Sequence, residues 1–150
     1  MKIIFYKEDN DCVKLLNKGV IRMSNIIENG LYFKSEQHLK DAKKIINRLG
    51  FRDLQENVEY GVYAYLVAAA GKGNAFCRCI DSVGNIEFSK WKEYIRNYAT
   101  TEIALIEFGF QLYNANMDGY AFAKTIYGMD RENLKVIRSS LNLYFGWDRF

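Results

Sequence analysis

The spacing of apolar residues changes character near Ser35. Before it, apolar residues come in short runs. "KIIFY" predicts a strand, and "NDCVKLLNKG" predicts a short helix closed by Gly19. "NIIENGLYF" sets Asn29-Gly30 between two runs, as a tight hairpin requires, since both residues tolerate positive φ. After Ser35 the period becomes helical. Ser35 caps "EQHLKDAKKIINRL", whose Leu39, Ala42, Ile45, Ile46 and Leu49 form one stripe that Gly50 ends. "VEYGVYAYLVAAA", capped by Asn57, has no hydrophilic side after Glu59, so it should be surrounded by protein.

Further along, "NAFCRCIDSVGN" reads as one helical turn and a loop, and "IEFSKWKEYIRNY" as partly extended and then helical. Thr100 or Thr101 opens "EIALIEFGFQLYNAN", a second helix apolar over most of its circumference. Asp118 is placed to cap "GYAFAKTIY" before Gly128, and Asp130 to cap "RENLKVIRSSLNLYF" before Gly146. The expected fold is mostly α (α+β). One compact domain spans 1–150, with a mixed strand and hairpin element at 1–33 packed on a helical body at 34–150. Two apolar helices lie at its centre.

Composition narrows the function classes. A chain of 150 residues, 49% hydrophobic and 15% aromatic, can bury a core and is unlike a disordered chain. A net charge of +3 is too mild to imply a nucleic-acid or membrane partner. Proline is absent where average usage gives about seven, and Asn, Ile, Lys and Tyr abound, as an AT-rich gene would produce. Cys12, Cys77 and Cys79 suit a reducing compartment. The first apolar run stops at Lys7-Glu8-Asp9, which is not the form of a secretory signal. The expected location is the cytoplasm.

Several motifs invite chemistry and fall short of it. Gly71-Lys72-Gly73 follows a helix and lacks the upstream glycine and the Ser or Thr of a phosphate loop. It reads as a helix end and a turn, with Asn74 capping the next element. Cys77-Arg78-Cys79 and one histidine do not make a four-ligand zinc site, so no metal or cofactor is expected. His38, the only histidine, titrates in the range of a general base, but its place at a helix start beside lysines predicts exposure to solvent. Lys40, Lys43, Lys44 and Arg48 share one outer helix face. Lys90, Lys92 and Arg96 mix with Trp91, Tyr94 and Tyr98. Either group suits phosphate contact and base stacking, or simply a solvated face.

The helix from Glu102 to Asn114 carries a narrow polar line of Glu107, Gln111 and Asn114 at i, i+4 and i+7. Ile103, Ile106, Phe110 and Tyr113 lie to one side of it, with Ala104, Leu105, Phe108 and Leu112 to the other. The line is either the thin wet edge of the helix or one wall of a cleft. In the second case Glu59 and Tyr60 are candidates to contribute from across it, and His38, Glu59 and Glu107 are the candidate acid or base groups.

"LYFKSEQH", "ENVEYGVYAYLVAA", "IEFSKW", "TTEIALIEFGFQLYNA" and "MDRENLKVIRSSLNLYFG" together resemble a small family of uncharacterised proteins, a domain of unknown function, from low-GC Gram-positive bacteria and their phages. The matching positions are Phe33, Ser35, His38, Asn57, Glu59, Tyr60, Gln111 and Asn114, within residues 31–146. Gln111 departs from the Asn usual there, and "YLVA" from "YILA". The resemblance implies a bacterial or phage origin and no reaction. The leading expectation is a non-enzymatic protein-binding accessory protein that occludes a surface of a host or bacterial protein, inhibitors of defence proteins being one such class. Its aromatic surplus suits an interface. The alternative is a ligand-binding or catalytic pocket using Glu107, Gln111 and Asn114. Nucleic-acid binding through Lys40, Lys44 and Arg48 stands third.

Overall fold

The computed structural model describes residues 3–5, 26–114 and 126–146. Expectations for a helix at 10–19, for Cys12, and for the Asp118 cap with most of its helix lie outside the described residues. Three short strands form one antiparallel sheet in the order β1 (Ile3–Phe5), β2 (Ile26–Glu28) and β3 (Leu31–Phe33). Asn29 and Gly30 join β2 to β3 with φ of 52° and 80°, the double left-handed turn that the Asn-Gly pair allows. The register pairs Ile26 with Phe33 and Glu28 with Leu31, and all four of these side chains are buried. A carboxylate there needs a partner, and Lys43 supplies its Nζ at 2.8 Å from Glu28 Oε1.

Among the described residues six helices follow: α1 (Glu36–Arg48), α2 (Val58–Ala69), α3 (Gly73–Cys77), α4 (Phe88–Ile95), α5 (Thr100–Asn114) and α6 (Arg131–Phe145). Three expected caps form. Ser35 accepts from the His38 N–H, Asn57 from the Tyr60 N–H and Asp130 from the Asn133 N–H. Gly146 ends α6 in the left-handed region. The Asn74 cap does not form. Lys72 precedes the first turn of α3 without a side-chain cap, and Gly73 is already helical. Gly73 lies so close to α1 that an added Cβ would stand 2.7 Å from the Asp41 Cβ, and Asn74 Oδ1 instead accepts from Lys44 Nζ at 2.8 Å.

Helix α2 is the axis of the body. Every residue from Gly61 to Ala69 is buried, which suits its lack of a polar side. It packs against α1, α5 and α6, and two glycines permit close approaches, one to the segment that joins α1 to α2 and one between α5 and α2. At Gly61 an added Cβ would stand 1.9 Å from the Leu54 carbonyl oxygen. At Gly109 of α5 it would meet the side chains of Leu66 and Tyr63 at 3.1 Å. The carbonyl of Tyr32 accepts from the Tyr65 hydroxyl, and the Tyr32 N–H donates to Ser139 Oγ at 2.9 Å, so strand β3 is fastened to both α2 and α6. Between α3 and α4, Asp81 Oδ1 accepts from the N–H groups of Val83 and Asn85, holding the turn that bridges Ile80 to Ile86.

Candidate functional site

The polar line of α5 does reach a cleft. Leu105, Phe108 and Leu112 are buried, whereas Glu107 and Asn114 are exposed and Gln111 is half-buried. Beside that edge α2, α4 and α5 enclose a half-open cavity of about 610 Å³, of the size that holds small ligands or a few side chains. Ile103, Ile106 and Phe110 line it from α5, Phe88, Trp91 and Ile95 from α4, and Tyr63 from α2. Trp91 is fully buried, and its Nε1–H donates to the Tyr63 hydroxyl at 2.8 Å, which fixes both rings in the wall. Phe88 and Phe110 meet edge to face at 5.6 Å between centroids.

Among the described residues, four charged or amide side chains line this apolar hollow: Lys92 on α4 and Arg96 at its C-cap, four residues on, and Glu107 and Gln111 at i, i+4 on α5. Among the described residues, Lys92, Arg96 and Glu107 make no ion pair. Gln111 Oε1 is buried and has no hydrogen-bond donor there.

Of the remaining candidates, Asn114, Glu59, Tyr60 and His38 do not line the cavity. Asn114 lies beyond its end, and Glu59 is exposed. Tyr60 packs its ring on Phe51 and Tyr113 at 5.2 and 5.1 Å. The structure therefore unites Glu107 and Gln111 and leaves the other four outside.

His38 corrects the expectation of a solvent-exposed base. It is 3% exposed, wedged between the rings of Phe33 and Tyr65 at 4.9 and 4.8 Å. Nδ1 accepts from the Lys34 backbone N–H at 3.1 Å, and Nε2 lies 2.9 Å from the Tyr65 carbonyl oxygen, so the proton belongs on Nε2. Burial, reinforced by the Lys34 charge and opposed by the bond to Tyr65, lowers its pKa to about 3. The imidazole is neutral and its lone pair is committed. It is a spacer between β3 and α2, with nothing left for proton transfer.

The basic face of α1 is also engaged by neighbours. Lys40 pairs with Glu36 at 3.8 Å, Lys44 donates to Asn74, and Arg48 donates to the Ile80 carbonyl at 3.2 Å. On the second group, Trp91 is inaccessible to a base, Lys72 sits over Tyr98 at 4.3 Å, and Arg78 over Tyr94 at 5.8 Å. Burial raises the thiol pKa of both Cys77 and Cys79, away from reactive thiolate. Among the described residues no group of three or more His, Cys, Asp or Glu is placed to hold a metal ion, and no helix is long and apolar enough to cross a membrane.

Sequence reasoning found the α5 wall through its helical wheel. It missed the α4 wall, because the side to which Trp91 points decides where Lys92 and Arg96 lie, and no local signal carries that direction. No family model matches this chain, and no curated protein or solved structure matches it either.

Proposed function

We propose that this chain is a non-enzymatic protein-binding accessory protein of bacterial or phage origin, and that it seats a segment of a host protein in the cleft between α4 and α5. The observation that carries this reading is the combination in one hollow of a fixed aromatic wall with three charged groups that have no ion-pair partner among the described residues. Buried aromatic anchors inside a polar rim are the usual anatomy of a protein interface. Occlusion of the bound surface is the simplest consequence, and inhibition of a host defence protein is its most specific form.

The test is affinity capture from bacterial lysate at physiological salt, run in parallel with wild type, a Lys92→Ala/Arg96→Ala variant and a Lys40→Ala/Lys44→Ala variant. A partner retained by wild type and by the α1 variant, but depleted by the α4 variant, is the expected result. No recurrent partner, or one held equally by all three, sinks the reading. A small-ligand pocket is the second reading, favoured by the cavity volume and by the orphaned Gln111 acceptor.

A further inference from the structure

The polar groups of the cleft describe an occupant in some detail. Lys92 on α4 and Arg96 at its C-cap line the hollow four residues apart, so a single anionic group can meet both. Among the described residues Glu107 is the lone carboxylate in the lining, on the opposite helix. It repels an anion that enters from the α5 side and thereby fixes which way round an occupant lies. Next to it, Gln111 Oε1 is a buried acceptor with no donor among the described residues, which a turn of its half-buried side chain would present to a ligand N–H. Below these groups lies partly exposed apolar surface of Phe88, Ile103 and Phe110.

An anion, an N–H donor and a large apolar group are therefore wanted close together. One residue of a polypeptide carries all three without help from its neighbours: the last one, with its α-carboxylate, its amide N–H and its side chain. An internal residue lacks the carboxylate. A free amino acid replaces the amide by an ammonium and leaves much of about 610 Å³ unfilled. Resting on the protein-binding reading above, we propose that the occupant is the carboxy-terminal end of a partner chain whose last residue is aromatic or large and aliphatic. The carboxylate sits between Lys92 and Arg96, the amide N–H donates to Gln111 Oε1, and the terminal side chain lies on Phe88, Ile103 and Phe110. Preceding residues fill the rest of the cleft.

Isothermal titration calorimetry on the full chain tests this with three probes: the peptide Ala-Ala-Ala-Phe as free acid, the same peptide as its C-terminal amide, and N-acetyl-phenylalanine. The free acid is expected to bind at least about tenfold tighter than the amide, the loss appropriate to charge-assisted hydrogen bonds. It should also bind tighter than N-acetyl-phenylalanine. In Lys92→Ala/Arg96→Ala the acid should fall to the level of the amide. Gln111→Leu should weaken both peptides by about tenfold while the unliganded protein melts no lower than wild type, because an unpartnered acceptor has been replaced by an apolar group. A glutamine that merely supports the fold would instead lower the melting temperature.

Equal binding of acid and amide overturns the carboxylate assignment. N-acetyl-phenylalanine binding as tightly as the tetrapeptide overturns the chain-end occupant in favour of a small molecule. Absence of binding by all three probes overturns the inference. Partner loss in the lysate experiment, seen with none of these peptide effects, would leave the protein-binding reading standing by itself.

Discussion

Acidification should destabilise this protein through one side chain, and the size of the effect follows from the surroundings of His38. The unfolded chain binds a proton at the ordinary histidine pKa of 6.5, whereas the folded chain does not bind it until about pH 3. Between those values the unfolded state carries more protons, so stability rises with pH across the window and is lost as pH falls below 6.5. Each pH unit fully inside the window is worth about 1.4 kcal/mol. Going from about pH 7.5 to about pH 5 therefore removes about 2 kcal/mol, most of it below pH 6.5. The comparison stops at about pH 5 because carboxylates begin to titrate below that. Urea unfolding followed by tryptophan and tyrosine fluorescence at the two pH values measures the loss. His38→Gln keeps an acceptor for the Lys34 N–H and a donor for the Tyr65 carbonyl, so it should lose stability on burial changes yet show a pH dependence flatter by about 2 kcal/mol. Because His38 is the only histidine, its C2 proton resonance is a direct second readout. A folded-state titration midpoint near 6.5, or an unchanged pH slope in the glutamine variant, would refute the assignment of His38 as a buried neutral spacer.

Two packing predictions follow. Gly61→Ala should destabilise by about 3 kcal/mol, since the new Cβ would stand 1.9 Å from the Leu54 carbonyl oxygen and backbone must move to admit it; helix propensity alone predicts a gain of about 1 kcal/mol, so the sign of the change in denaturant midpoint decides. Tyr63→Phe removes the acceptor of the Trp91 Nε1–H and leaves a buried donor unpaired, for a loss of about 1–3 kcal/mol in the same assay, and unchanged stability would mean that the indole finds another partner.

The parts of the fold legible in the sequence are those decided within one or two turns of chain. Ser35, Asn57 and Asp130 cap their helices because each needs only an N–H three residues ahead. Asn29-Gly30 turns β2 into β3 because both residues reach positive φ cheaply. The burial of α2 was readable as well, since a helix without a polar side has nowhere else to go. The failures depend on distant partners. His38 carries the same cap signal whether it faces water or protein, and its burial is decided by Tyr65, 27 residues away. Asn74 loses its capping role because Gly73 must nestle against Asp41, and that contact exists only once α1 and α3 are packed.

The cleft has a cause of the same long-range kind. A helix apolar over most of its circumference needs cover on two sides, and α5 receives α2 on one of them. On the other, α4 stands across the cleft and reaches α5 through the Phe88 ring on Phe110. Ile103 and Phe110, which face the space between the two helices, remain partly exposed. Closing that gap with more apolar side chains would bury Glu107 and Gln111, at the cost of desolvating a charge and an amide. Keeping it open exposes apolar surface to water. On the protein-binding reading proposed above, the partner covers this second side of α5 beside the Glu107 and Gln111 edge, and the Trp91 to Tyr63 hydrogen bond holds the wall behind it in place before binding.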